Sequence, residues 1–311
     1  MTSQRHIIVI ATGIVLLAIA CLADITWGGY AGSDILLHLR LPRMATALFA
    51  GAAMALSGSQ MQSIFRNPLA DPHIMGISSG AALGAALATM HTGAALAGMS
   101  IAISASIGAA GAAGIILYAS GRFRNASILL IFGVMLGFII TAIVSILQFS
   151  SDAESLKIFY SWSAGSFTNT TWTETAIIAA TLAVGLTIAL FNHKGLDLIL
   201  FGDEFTELSG GTPSKIRLSA LLSCSLMTGA VTAFCGPLGF VGIIGPHIAK
   251  ALLGTSAHKA VLPASLLTGG LIGVCADLIS RMTPSPMPVA STMALLGIPV
   301  ILYIMLKRPE L

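Results

Sequence analysis

Charged residues are scarce in this sequence of 311 residues. Asp, Glu, Lys and Arg together make up 9% of the chain, whereas 56% of it is hydrophobic and the mean hydropathy is +0.92. A soluble domain would carry roughly a quarter charged residues. The composition therefore excludes a soluble enzyme or binding module and indicates a protein that lies mostly within a lipid bilayer.

Several motifs that would identify other functions are also missing. None of the six lysines follows a glycine, so the chain has no Walker A motif and does not hydrolyse ATP by a P-loop. No basic tract with interleaved aromatic residues argues for a nucleic-acid partner. The cysteines have no CxxC spacing, so we predict small buried residues rather than a metal or redox site at Cys21, Cys224, Cys235 and Cys275.

Long apolar runs dominate what is present. A spanning helix needs about 20 mostly apolar residues, and the eighth of the ten runs is short for an unbroken span. All 311 residues are assigned to a single membrane domain, and its longest polar stretch is 192–217. We predict an all-α, polytopic protein with spans at about 7–23, 44–64, 74–90, 96–119, 128–149, 175–191, 216–234, 241–253, 262–279 and 289–306.

The basic residues indicate the orientation. If the N-terminus is cytoplasmic, 11 of the 15 Lys and Arg fall on cytoplasmic segments, and those outside are Arg40, Arg43, Lys157 and Arg281. This distribution obeys the positive-inside bias. We therefore expect a multi-pass protein of the bacterial inner membrane with both termini in the cytoplasm, where residues 192–217 also lie.

Two prolines separate the second and third spans. Pro68 and Pro72 lie in RNPLADPHIMGISSG, residues 66–80, and cannot continue a helix. Three glycines four residues apart follow and allow close helix packing: Gly76, Gly80 and Gly84. The segment resembles the NPLADP-x-x-LG-x-SSGA signature of the permeases of ATP-driven (ABC) importers for iron-siderophores, haem and vitamin B12. The resemblance covers most of the chain, and on this basis the chain is identified as a member of that FecCD/BtuC-like family.

The resemblance implies a BtuC-like type II ABC importer permease fold of about ten helices. Two permease chains, as a homodimer or with a related second chain, would surround a central path. An ABC ATPase dimer would lie beneath them, and a periplasmic or lipid-anchored substrate-binding protein above. The expected function is import of an iron chelate such as a ferric siderophore, of haem or of vitamin B12. This chain would hold no cofactor, metal or catalytic residue, because ATP and Mg would bind to the partner ATPase.

On the outer face, the resemblance assigns two groups of residues. The LRLPR segment would dock the binding protein through Arg40 and Arg43, and the competing interpretation is that both arginines anchor a helix end at the headgroups. SWSAGSFT resembles a short gating helix, with a plain interfacial turn as the alternative. The periplasmic gate residues would be Ser161, Trp162, Gly165 and Ser166.

On the cytoplasmic face, the resemblance assigns a gate and a coupling segment. The gate would comprise Asn67, Leu69, Asn125, Ala126 and Ser127, which ordinary helix capping would also explain. GDEFTELSG resembles the segment that couples to the ATPase, but Thr206, Glu207 and Ser209 depart from the family pattern. Asp203 and Glu204 are expected to cap a short helix. The coupling residues would be Gly202, Asp203, Glu204 and Gly210.

Two further motifs have structural interpretations. GPLGFVGIIGPHIAK resembles a family motif, in which we predict structural roles for Gly236, Pro237, Gly239, Pro246 and His247. A lone histidine is more often structural than a metal ligand. Asp277 and Arg281 are four residues apart and match a family pair, which favours a salt bridge over a substrate role.

An ion-coupled secondary transporter is the alternative function. It would transport without an ATPase and would need a functional acid within the membrane, for which Asp277 is the plausible candidate. The family resemblance favours the ATP-driven importer.

Overall fold

The computed structural model describes residues 2–27, 32–91, 97–123, 125–282 and 287–307, and within them it contains helices and no strand. A π-helical turn, Leu36–Arg40, leads into α3, and a 3-10 turn, Pro72–Met75, precedes α4. The α-helices are α1 (Thr2–Thr26), α2 (Ser33–Ile35), α3 (Leu41–Ile64), α4 (Ile77–His91), α5 (Ala97–Arg122), α6 (Ala126–Phe149), α7 (Ala153–Ser163), α8 (Trp172–Phe191), α9 (His193–Ile199), α10 (Asp203–Leu208), α11 (Pro213–Cys235), α12 (Val241–Leu253), α13 (His258–Ser280) and α14 (Val289–Lys307).

The ten predicted spans correspond to ten of these helices, which confirms the all-α polytopic fold. Among the described residues, six helices are long and apolar enough to cross a membrane: α1, α5, α6, α8, α11 and α13. Three apolar helices are shorter, namely α4, α12 and α14. The tenth, α3, has 24 residues but carries a polar C-terminal half. The short eighth run is a helix of 13 residues, α12.

The central helix of the bundle is α3, which packs against α8, α11, α12 and α13. Glycine makes the closest of these approaches possible. A Cβ added to Gly58 would lie 1.8 Å from the carbonyl oxygen of Gly242 in α12, and one added to Gly51 would lie 2.2 Å from that of Gly269 in α13. At these crossings the two backbones touch without a side chain between them.

The three glycines after the prolines pack closely, as predicted, but not on one face. Added Cβ atoms on Gly80 and Gly84 would collide with the α5 backbone at Gly108 and Ser104. Gly76 instead has φ +82° and ends the 3-10 turn, where its added Cβ would lie 3.1 Å from the carbonyl oxygen of Gly133 in α6. Gly76 therefore reverses the chain between α3 and α4.

Asp71 fixes this reversal. Its Oδ1 accepts a hydrogen bond from the backbone N–H of His73 at 2.7 Å, and the side chain packs beside Gly242. Burial raises the pKa of Asp71 to about 6, although the backbone N–H groups of His73 and Phe240 partly oppose the rise. The loop between α3 and α4 is thereby packed against the start of α12.

Some predictions lie outside the described residues. These concern Arg124 and Arg308, two of the basic residues that the orientation assigns to the cytoplasm.

Candidate functional site

The two arginines assigned to docking lie at the N-terminal end of α3. Arg40 donates from Nη1 to the carbonyl oxygen of Ile25 at 2.8 Å. Arg43 points into the protein, where Nε lies 2.8 Å and 2.9 Å from the two carboxylate oxygens of Asp277. Only 12% of the Arg43 side chain is exposed. Arg43 therefore differs from the exposed guanidinium that the sequence suggested.

Asp277 belongs to a cluster of four buried charges. Arg281 donates to Asp277 at 3.0 Å, so the predicted pair is present, and Arg281 also pairs with Asp24 in α1. Two carboxylates thus face two guanidiniums, and the cluster ties α1, α3 and α13 together at one end of the bundle. Two of these pairs were missed from the sequence, Arg43 with Asp277 and Arg281 with Asp24, because the partners are 234 and 257 residues apart.

The segment assigned to the periplasmic gate follows α7. The Asp152 side chain caps α7 by accepting from the Ser155 N–H at 2.7 Å, and the hydrogen bonds from the Ser155 backbone and hydroxyl lower the pKa of Asp152. Beyond α7, Gly165 has φ +75°, and the Ser166 N–H donates to the Cys235 carbonyl at 3.0 Å. The Val289 N–H donates to Gly165. The gate segment is therefore held between the ends of α11 and α14.

A cavity of about 900 Å³ lies beside this segment. Its wall includes three of the four predicted gate residues, Ser161, Trp162 and Ser166, together with the charged side chains of Glu154, Lys157 and Glu174. Trp162 is oriented by a hydrogen bond from its indole nitrogen to the Ala233 carbonyl at 3.4 Å. The structure thus brings three of the four predicted gate residues together at one cavity of mixed polarity.

The residues assigned to the cytoplasmic gate lie in two turns. Asn67 Oδ1 accepts from the Leu69 N–H at 2.9 Å, and Asn125 Oδ1 accepts from the Ser127 N–H at 2.8 Å, so each asparagine caps its own turn. Leu69 is exposed and Ala126 is buried. The loop that carries Asn67 ends against Gly133, about two turns into α6. The capping interpretation is correct locally, and it is compatible with a gate.

The segment assigned to coupling forms α10. Gly202 has φ +107°, which favours glycine, and Gly210 has φ +81° just beyond the helix. The expected cap by Asp203 and Glu204 was wrong, because no side-chain cap bond forms. Asp203 instead pairs with the buried guanidinium of Arg217 in α11, and Glu204 is exposed. This ion pair fixes α10 to the start of α11.

Sequence reasoning missed an apolar face formed by α10 and by Phe201 just before it, called here the apolar face of α10. Phe201, Phe205 and Leu208 are exposed, Leu208 at 90%, and the two phenylalanine rings lie 5.2 Å apart. Their spacing of four and three residues is the helical signal that would have found them. Thr206, which replaces the family's Ala, is buried and its hydroxyl donates to the Gly202 carbonyl at 2.7 Å.

The glycine-rich motif builds the turn into α12. An added Cβ on Gly236, which has φ +76°, would lie 2.4 Å from the Trp162 carbonyl oxygen. Pro237 and Gly239 follow in the connecting loop, and Pro246 lies inside α12. His247 Nδ1 lies 2.7 Å from the carbonyl oxygen of Ile243. Within the described part of the chain, no group of three or more His, Cys, Asp or Glu is placed to hold a metal ion.

Residues 5–307 match the model of the FecCD transport family. The chain is 33% identical over 283 residues to the hemin transport permease HmuU of Yersinia pestis, covering 89% of this chain and 84% of the relative. It is 33% identical over 271 residues to the cobalamin import permease BtuC of Halobacterium salinarum, covering 87% and 73%. A solved structure described as an inward-facing, metal-chelate type ABC transporter superposes with a TM-score of 0.88 at 28% identity, covering 96% of this chain and 98% of the other.

Proposed function

Because this chain belongs to the FecCD transport family, we propose that it forms the membrane path of an ATP-driven importer for an iron chelate, haem or cobalamin. The observation that carries the proposal is the family match, which extends over residues 5–307 and therefore includes every helix that forms the bundle. The chain is a multi-pass transport subunit. It would open and close the transport path, and the energy would come from hydrolysis of ATP, which binds with Mg to a separate ATPase.

The ATPase would dock on α10. Exposed aromatic and aliphatic side chains at a short helix are the kind of anchor that fills a pocket in a partner. Phe205 and Leu208 of α10, with Phe201 just before it, are such side chains. The Asp203 and Arg217 ion pair would transmit force from α10 to α11, since Arg217 is almost fully buried. This arrangement supports coupling through residues 202–210, with both termini of the chain in the cytoplasm.

The substrate would pass the cavity beside α7. Two permease chains facing each other would each contribute one such cavity of about 900 Å³ to a central path. Ser161, Trp162, Gly165 and Ser166 would close it on the periplasmic side, and Asn67, Leu69, Asn125, Ala126 and Ser127 would close the opposite end. ATP binding and hydrolysis would open these gates in turn.

The binding protein would dock at the outer end of α3. Arg40, at the outer end of α3, is the candidate for a contact with an acidic residue of that partner, because only 12% of the Arg43 side chain is exposed to one. Arg43 would act indirectly, by holding α3 against α13. Specificity for the substrate would then reside in the binding protein rather than in a tight site on this chain.

The substrate class follows the relatives. HmuU is named for hemin and BtuC for cobalamin, and the structural neighbour is described as of metal-chelate type. We therefore propose that the transported substrate is a large metal chelate, with ferric siderophore, haem and cobalamin as the three candidates.

Uptake into proteoliposomes tests this function. Vesicles would contain the chain with its cognate ATPase, binding protein would be added outside, ATP would be enclosed, and haem, cyanocobalamin and a ferric hydroxamate would be offered separately. We expect one compound to accumulate only when all three proteins are present. Accumulation without the ATPase would overturn the proposal in favour of an ion-coupled transporter.

A further inference from the structure

Three side chains from distant parts of the sequence form a continuous hydrogen-bonded array. His258, the first residue of α13, places Nδ1 2.6 Å from Asp197 Oδ1 in α9 and Nε2 2.6 Å from Ser63 Oγ in the last turn of α3. Asp197 Oδ1 also accepts from the His258 backbone N–H at 2.8 Å. The array therefore joins α9, α13 and α3 at one point.

The array is built into the interior. Ser63 and His258 are each 1% exposed, whereas the Asp197 side chain is 37% exposed at one end. Burial alone would raise the pKa of Asp197. The hydrogen bonds that its carboxylate accepts from the His258 ring and backbone outweigh this effect, so the pKa of Asp197 is lowered from its ordinary value. Asp197 is thus held as a carboxylate against the imidazole.

The order Asp, His, Ser is that of a hydrolase triad, but the surroundings exclude nucleophilic catalysis. The Ser63 hydroxyl is buried within α3 and donates to the Ser59 carbonyl at 2.9 Å. A substrate carbonyl would have to approach Ser63 Oγ in the space that these neighbours fill. The array is consequently a connection between helices.

One end of the array leads to the coupling segment. Asp197 lies in α9, whose Leu196 and Ile199 are fully buried and whose packing partners include α3, α11 and α13. Phe201 and α10 follow directly. α9 also packs against α10, so Asp197 lies on the helix that joins the coupling segment to the bundle.

The other end leads to the loop of the cytoplasmic gate. The Ser63 carbonyl accepts from the Arg66 N–H at 3.2 Å, and Asn67 is the next residue. Arg66 has φ +48° and reaches back to the coupling segment, where its Nη1 lies 3.3 Å from the position of a Cβ on Gly202. The buried array therefore connects α9 to the base of the gate loop, and the Arg66 side chain of that loop lies beside Gly202 of the coupling segment.

We propose that Asp197, His258 and Ser63 are positioning residues that transmit movement of α10 on the ATPase to the gate loop at Asn67 and Leu69. This inference rests on the proposed function. Its physical basis is that stretching any bond of the array leaves a buried polar group unpaired, which costs more than moving the helices together. The three segments therefore shift as a unit.

The coupling ratio, meaning substrate molecules imported per ATP hydrolysed, separates this role from a merely structural one. A variant that only misfolds lowers uptake and ATPase activity in proportion and leaves the ratio unchanged. We expect His258→Ala and Ser63→Ala to lower the ratio about tenfold. Ser219→Ala is the matched control, because Ser219 also donates to a carbonyl of its own helix, at 3.0 Å.

Accessibility of the gate gives a readout that needs no substrate. In the complex with the ATPase, Leu69→Cys would be labelled from the cytoplasmic side with an impermeant maleimide, with and without trapped ATP. We expect an ATP-dependent change in labelling rate that His258→Ala abolishes and Ser219→Ala preserves.

The double variant Ser63→Ala with Asp197→Asn tests whether the three residues act as one unit. We expect its coupling ratio to be no lower than that of either single variant.

Two results would overturn the inference, and they are distinguishable. If wild-type vesicles import but the array variants keep the wild-type coupling ratio and labelling change, the array has no role in coupling. If wild-type vesicles show no ATP-dependent uptake of any of the three compounds, the proposed function fails and the inference fails with it.

Discussion

Arg43 donates to both carboxylate oxygens of Asp277, at 2.8 Å and 2.9 Å, across 234 positions of the sequence. The contact joins the start of α3 to the end of α13, and Arg281 and Asp24 extend it to α1. An acid that faces two arginines has no free charge for an ion to neutralise. These contacts favour a structural role for Asp277, because the acid that an ion-coupled transporter would need is already paired with two arginines.

Neutralising Asp277 should destabilise the protein. In Asp277→Asn, two buried guanidiniums would face a single carboxylate, and breaking a buried pair costs roughly 3–5 kcal/mol. We expect a clearly lower melting temperature in detergent, with ATP-driven uptake per folded molecule retained. Asp34→Asn, at an exposed carboxylate in α2, is the control and should melt as the wild type does. Equal melting temperatures for both variants would contradict the structural role.

Much of the fold follows from the sequence, because a run of apolar residues in lipid has only the helix with which to satisfy its backbone. The ten predicted runs are helices, and even α12 has the predicted bounds. The pairing of charges did not follow. Nothing in the local pattern around Arg43 distinguishes a partner on another protein from Asp277, since the bundle that brings the two residues together forms only on folding.

The coupling segment illustrates the same limit at short range. The acidic residues at the start of α10 predicted a helix N-terminus correctly, but the bonding of Asp203 depends on Arg217, 14 residues later. The apolar face of α10 was present in the sequence as Phe201, Phe205 and Leu208. It was overlooked because apolar residues carry little information in a chain that is 56% hydrophobic.

A charge on the apolar face of α10 should block assembly with the ATPase. Leu208 is 90% exposed, so Leu208→Arg leaves the fold unchanged while placing a charge where an apolar anchor is needed. Loss of such an anchor costs at least about 2 kcal/mol of binding. We expect co-purification of the ATPase to fall by more than tenfold, with Glu207→Gln next to it as the control. Undiminished co-purification would show that α10 is not the docking element.

Charge reversal at Arg40 should weaken docking of the binding protein. Exposed charges at the rim of an interface act mainly on the rate of association. We expect Arg40→Glu to raise the concentration of binding protein that half-maximally stimulates the ATPase, about tenfold at low salt, and less at high salt. Arg40→Lys keeps the positive charge and should behave nearly as the wild type. Equal half-maximal concentrations for both variants would remove Arg40 from the docking face.

Asp71 should make stability depend on pH in an unusual direction. Its pKa in the folded protein, about 6, lies above the ordinary 3.8, so the folded state binds more protons between these values. Stability therefore falls as pH rises from about 4 to 6, by about 3 kcal/mol from this group alone.

The variant Asp71→Asn isolates that contribution. Asparagine retains the acceptor for the His73 N–H but carries no charge, so we expect it to melt at a higher temperature than the wild type at pH 8. At pH 4 the two proteins should differ little. A variant that is less stable than the wild type at pH 8 would mean that the Asp71 carboxylate stabilises the loop in its charged form.

The energy source is the most direct test of the account. Uptake of the accepted chelate would be measured in proteoliposomes that contain the complete complex, with ionophores present to abolish every ion gradient. We predict that uptake continues with enclosed ATP and stops when ATP is replaced by a non-hydrolysable analogue. Uptake that collapses with the ionophores and needs no ATP hydrolysis would contradict the assignment of this chain as the permease of an ATP-driven importer.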